Sequence, residues 1–183
     1  MEEIEVPIDT IQEEMHEHIQ HGGHGTHSGW LAKAALSSAI FAVFAAIASL
    51  LAGHHSNEAM IEQIRSSDQW SYYQAKGIKA AVLASKVEML EALGKTTSEK
   101  DAEKIEAYKK DQEEVKEKAT EHEKESEFHL RVHQVFGRSV TLFQIAITIA
   151  AISVLTQRKK FWFGSIAFGL IGLFQFIMGM LQK

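Results

Sequence analysis

Three long apolar runs, Trp30–Ala52, Ser139–Leu155 and Phe161–Leu181, constrain this chain more than any other feature. A helix that crosses the hydrocarbon core of a bilayer needs roughly 20 mostly apolar residues. The first and third runs meet that length, and Val135 and Phe136 extend the second. Their one charge, Lys33, lies near an end, where a long side chain reaches the interface. Trp30, Phe161, Trp162 and Phe163 stand at run ends, as interfacial aromatics do. The sequence predicts an all-α membrane protein with three transmembrane helices, at 30–52, 139–157 and 161–181.

The segment between the first two runs, 53–138, is of a different kind. It is rich in Glu and Lys and contains no proline. On its first half Ile61, Ile64, Asp68, Ser71, Ala75, Ile78, Val82, Ser85, Met89 and Ala92 recur at alternating steps of three and four, which is a heptad seam. On its second half Ile105, Tyr108, Gln112, Val115, Ala119, His122, Ser126, His129, His133 and Phe136 do the same. Gly94 suits a helix C-terminus, and Ser98 with Asp101 has capping-box spacing. A short turn near 94–98 makes two long helices antiparallel neighbours. The expected fold is therefore a long antiparallel coiled-coil hairpin between the first and second spans. Its core is too polar and small to be comfortable alone, which predicts a homo-oligomer. Trp70, Tyr72 and Tyr73 are candidates for the subunit contact, because aromatics are enriched in such contacts. The first span has small residues four apart, such as Ala35–Ala39, Ser38–Ala42 and Ala42–Ala46, and reads as a helix packed against protein.

Residues 1–29 form an acidic, His-rich tail. They carry seven acids and no Lys or Arg, the reverse of a secretory leader, so the first span reads as an uncleaved anchor. Ile8, Ile11, Met15 and Ile19 make one stripe of a short amphipathic helix after Pro7. The absence of cysteine excludes disulfides, thiolate metal sites and a cysteine nucleophile. A net charge of −5 gives no reason to expect nucleic acid as a partner. The bilayer and further copies of the chain are the expected partners. The turn Arg158–Lys159–Lys160 is a positive-inside signal and puts itself on the cytoplasmic side, with the hairpin external.

Histidines are the candidate metal ligands. His16, His18, His21, His24 and His27 lie in the tail. His122, His129 and His133 share the seam of the second arm, and His54 and His55 lie at the start of the first. Pairing about the middle of the turn puts His129 opposite Ile64, His133 opposite Met60 and Ile61, and His122 opposite Ser71. Asp68, Glu58 or Glu125 would then supply carboxylates. Imidazoles four apart on a helix suit zinc, nickel or copper, and the same groups titrate near neutral pH. Within the spans Thr141, Gln144 and Thr148 share one face, and Gln175 lies in the third; polar groups there are interhelical contacts or a pore lining. No phosphate loop, H-E-x-x-H or G-x-S-x-G motif is present, so no catalytic residue is assigned and no enzyme is expected.

The string GHHSNEAMIEQIRSSDQWSYYQAKGIK, Gly53–Lys79, resembles a bacterial membrane family catalogued as domain of unknown function 4337. The resemblance extends to the acidic tail, the Glu/Lys-rich second arm, Ser139–Ile147 and the basic turn before the last run. It implies a small three-span protein of the bacterial inner membrane and hands over no catalytic residues. It directs attention to His54, His55, Asn57, Glu58, Asp68, Gln69, Trp70, Tyr73, Gln74 and Lys76. Asp68, Trp70, Tyr73 and Lys76 from this string, with Gln144 and Thr148 from the polar face of the second span, are the candidate oligomer or pore contacts. The expected role is that of a homo-oligomeric, membrane-anchored structural or scaffolding protein. An oligomeric pore and a histidine-based metal or pH sensor are the alternatives.

Overall fold

A computed structural model describes residues 28–182, and the described residues form three helices. Helix α1 spans Ser28–Ala92, α2 spans Glu99–Thr156 and α3 spans Lys159–Leu181. All three are long and apolar enough to cross a membrane. Residues 1–27 lie outside the described residues, and with them the short helix expected there and the five tail histidines. Among the described residues the contacts define two units, 55–131 and the pair of segments 28–54 and 132–182. Helix α1 runs without interruption across Gly53, where nothing in the sequence breaks it: the only proline is Pro7.

In the second of these units the chain packs small residues against rings. Phe136 and Phe143 are fully buried, with Ala34, Ala48, Ala146 and Ala150 around the same core. Helix α3 offers them a strip of Ser165, Gly169, Gly172 and Gly179, its buried positions. A Cβ at Gly179 would lie 2.9 Å from the Phe136 ring, and one at Gly172 3.1 Å from that of Phe143. One at Gly169 would overlap Phe41. Rings seated in glycine grooves bring the helix backbones close, which is how apolar helices associate when no water is present to drive them. Phe44 stacks on Phe143 and meets Phe176 edge-on. The buried hydroxyls of Ser139 and Ser165 donate to Val135 O and Ala146 O. Only part of the small-residue pattern in α1 is used: Ala34, Ser38, Ala48 and Ala52 are buried, whereas Ala39 and Ala46 are exposed with Leu36, Val43 and Leu50.

The turn from α2 to α3 closes with two backbone bonds, Gln157 N to Val154 O and Arg158 N to Ser153 O. That pattern requires a left-handed residue, and Gln157 adopts it at φ 51°. Gly94 (φ 67°) performs the same function after α1, with Gly94 N bonded to Glu91 O and Lys95 N to Leu90 O.

In unit 55–131, α1 and α2 lie against each other. As the α1 position rises, its α2 partner falls: His55 meets His129, Ala59 O accepts from Ser126 Oγ, Glu62 meets His122, Ala119 O accepts from Ser66 Oγ, Lys76 pairs with Asp111 and Lys86 with Asp101. The α2 seam is the one its sequence predicts; Val115, Ala119 and Ser126 are buried along it. The α1 seam is different. Its buried positions are Ala59, Glu62, Ser66 and Ala80, and the apolar residues of the expected seam face outward: Ile61, Ile64, Ile78, Val82 and Met89 are all exposed. The physical reason lies in α2. Its seam is polar and small in this stretch, so the complementary face of α1 carries one hydroxyl, one carboxylate and alanines.

The pairing also runs closer to the N-terminus of α1 than a symmetric turn predicts. Residues 95–98 are not helical and run on from the reversal at Gly94. An extended residue advances about 3.3 Å against 1.5 Å in a helix, so such a connection can return past the last turn of α1 before α2 begins. Ser98 accepts Asp101 N through its backbone carbonyl, while the Asp101 carboxylate is engaged by Lys86 at 2.8 Å.

Candidate functional site

The displaced register changes which residues the histidines meet. His129 faces His55, not Ile64, with Nδ1 to Nδ1 at 2.9 Å and ring centroids 5.2 Å apart. His122 faces Glu62, not Ser71. His133 donates through Nδ1 to Ala52 O at 2.8 Å, away from Met60 and Ile61. Each of the three seam histidines therefore has its own partner on α1, and they do not converge. His54 is exposed. His16, His18, His21, His24 and His27 lie outside the described residues.

One grouping of possible ligands is found among the described residues: Glu62, His122 and Glu125. Glu62 occupies a buried seam position of α1, with small Ala59 and Ser66 before and after it. Its Oε2 lies 2.6 Å from His122 Nδ1, and its Oε1 accepts from Arg65 Nη1 at 2.5 Å. Glu125, one turn beyond His122 on α2, brings Oε2 to 3.9 Å from the same Nδ1. The three side chains grade from buried to solvent: 6% exposed for Glu62, 26% for His122 and 54% for Glu125. Burial works to raise the Glu62 carboxyl, but the His122 hydrogen bond and the Arg65 and His122 charges outweigh it and hold the group below the ordinary carboxylate value. Glu62 was not legible as a site residue, because a Glu three positions before an Arg reads as a solvated helix pair. Its signal is its place in register with Ala59 and Ser66, which are small as a packed layer requires.

The residues proposed for subunit contact divide into two groups. Lys76 is engaged inside the chain: its Nζ lies 2.5 Å from Asp111 Oδ2 and about 5 Å from the ring centres of Tyr72 (5.1 Å) and Tyr108 (5.2 Å). The hydrogen bond to Asp111 raises its pKa above the ordinary lysine value. Trp70 meets Tyr73 edge-on at 5.5 Å, and Tyr73 O accepts from Gln112 Nε2, which passes over Gly77. Asp68, Gln144 and Thr148 form the other group and are exposed. The hydroxyls of Thr141 and Thr148 donate back to Gly137 O and Gln144 O of their own helix.

A family model spans nearly all of this architecture, from residue 30 to residue 182. The chain belongs to the family described as domain of unknown function DUF4337. No curated protein and no solved structure matches it. The match to DUF4337 covers residues of all three helices and names no reaction.

Proposed function

We propose that the chain is a homo-oligomeric scaffold anchored in the bacterial inner membrane by three spans, with no catalytic activity. In this reading the 55–131 unit is an antiparallel coiled-coil hairpin outside the bilayer. The basic turn Arg158–Lys160 stays in the cytoplasm, which puts the hairpin on the external side. The observation that carries the reading is the second seam of α1. Ile61, Ile64, Ile78, Val82 and Met89 repeat at heptad spacing, yet all are exposed in the single chain. The intramolecular seam already occupies the other face with Ala59, Glu62, Ser66 and Ala80. Two exposed apolar patches on one heptad stripe, Ile61–Ile64 and Ile78–Val82–Met89, with Asp68 and Ser71 between them, support an interaction surface, and heptad spacing suits another helix of the same design. Mass photometry of detergent-purified full-length protein tests the reading. A defined multiple of the 20.5 kDa chain is the expected result; a monomer, with no crosslinks in native membranes, overturns it.

A pore along the oligomer axis is the second reading, supported by exposed Gln144 between Thr141 and Thr148 on the apolar part of α2. The two threonines satisfy their own hydroxyls within the helix, which leaves Gln144 as the polar group able to line an axis. Ion flux through reconstituted protein that is altered by Gln144→Leu supports a pore, and an impermeable reconstitution removes it.

A further inference from the structure

We propose that Glu62, His122 and Glu125 form a binding site for a divalent transition-metal cation of the zinc class, which ties α1 to α2 within the 55–131 unit. The donor set comprises one imidazole nitrogen and two carboxylate oxygens, with all ligand atoms within 4.8 Å of one another. Around a tetrahedral zinc with bonds near 2.0–2.1 Å, neighbouring ligand atoms stand about 3.4 Å apart. The separations here, 2.6 Å from His122 Nδ1 to Glu62 and 3.9 Å to Glu125, bracket that spacing. Small rotamer adjustments of Glu125, which is half exposed, complete the approach.

Three further observations favour a cation. Glu62 is a carboxylate in a buried seam position, where a counter-charge is needed. Arg65 binds the Oε1 of Glu62 and so fixes the carboxylate plane, and a metal would take Oε2 and His122 Nδ1 in place of the hydrogen bond between them. The exposure gradient from Glu62 outward gives an entry path and leaves the remaining coordination position to water. Calcium and magnesium are poorer fits, because they require six or more oxygens and this cluster offers an imidazole in their place. The ligands come from both helices, so binding adds a crosslink to a seam made of alanines and hydroxyls. It goes beyond the scaffold reading and does not depend on oligomerisation.

The test uses untagged full-length protein in which His16, His18, His21, His24 and His27 are each changed to Gln, so that the tail does not contribute. Zinc is titrated against a chromophoric chelator, and cobalt(II) is added as a spectroscopic probe. One zinc per chain is expected, with cobalt absorption in the visible typical of a low-coordinate site with nitrogen and oxygen ligands. Glu125→Gln and His122→Gln should each weaken zinc at least about tenfold. Glu125 is exposed on α2, so its variant retains the fold and decides the question even if His122→Gln does not. Absence of zinc binding in the tail-substituted protein overturns the proposal. So does zinc binding that is unchanged by Glu125→Gln, which would locate the ion elsewhere. Equal affinity for calcium would overturn the assignment to a transition metal.

Discussion

The Glu62–His122 contact should couple the two helices, and a double-mutant cycle measures it. The perturbations are Glu62→Leu, His122→Leu and the pair together, with chelator present. His122→Leu leaves a buried carboxylate with Arg65 as its one ion-pair partner. A hydrogen bond to a charged group contributes about 1.5–3 kcal/mol, and a leucine at this partly buried site returns about 1–2 kcal/mol. A net loss of roughly 1 kcal/mol follows for that variant. Glu62→Leu removes the charge and fills the same buried position, so it should be near neutral. The double variant replaces a buried ion pair with apolar contact, a change that is neutral or stabilising by about 1–4 kcal/mol. With the double variant taken as about 1 kcal/mol more stable, the coupling is about 2 kcal/mol, or roughly 4–8 °C in midpoint for a chain of this size. Thermal unfolding followed by far-ultraviolet circular dichroism in detergent provides the readout. The pH dependence has a defined sign. The Glu62 pKa is lowered in the folded chain from its ordinary 4.5. Its contribution is therefore complete above that value and is lost as the pH falls through the lower, folded value. The coupling should be present at neutral pH and absent in strong acid. Single-variant effects that add to the double within about 0.5 kcal/mol at neutral pH would refute the reasoning.

Other outcomes follow from particular contacts. Gly172→Leu should destabilise the α3 packing by about 1–3 kcal/mol or more, because the new side chain meets Phe143 and Leu142; a lower midpoint in detergent checks this. Gln157→Gly should raise the midpoint, since it relieves a left-handed non-glycine residue that costs about 1–2 kcal/mol. Gly94→Val should lower it for the converse reason. Replacing Lys76 by Met should leave the fold intact but remove the high-pH limb of stability. Its raised pKa means the Asp111 pairing holds below the ordinary lysine value and is lost as the pH rises beyond the folded one.

Much of the helical plan is legible in the sequence. Long apolar runs without proline gave three helices, and Gly94 marked the end of the first. The α2 seam was legible because Val115, Ala119 and Ser126, which fall on its heptad positions, are among the positions it buries. The α1 seam was not, because hydrophobicity and burial part company there. Ile78 and Val82 are more apolar than Ser66 or Glu62, but the latter pair is buried. Periodicity finds the more apolar face; it does not tell which face meets the chain's own second arm. The register was hidden for a related reason. Whether residues 95–98 extend or coil alters the pairing by several positions, and Thr96–Ser98 favours neither. With the register displaced, Glu62 entered the site and the other histidines separated.

The most direct test of assembly through α1 exploits the absence of cysteine from the chain. Single cysteines at Ile64, Ile78 and Val82, with Glu117→Cys on the outer face of α2 as the control, are oxidised in native membranes and resolved without reductant. Assembly along the exposed stripe predicts disulfide-linked dimers from the three α1 positions and little from the control. Equal crosslinking at all four positions, or none at the stripe, would contradict it.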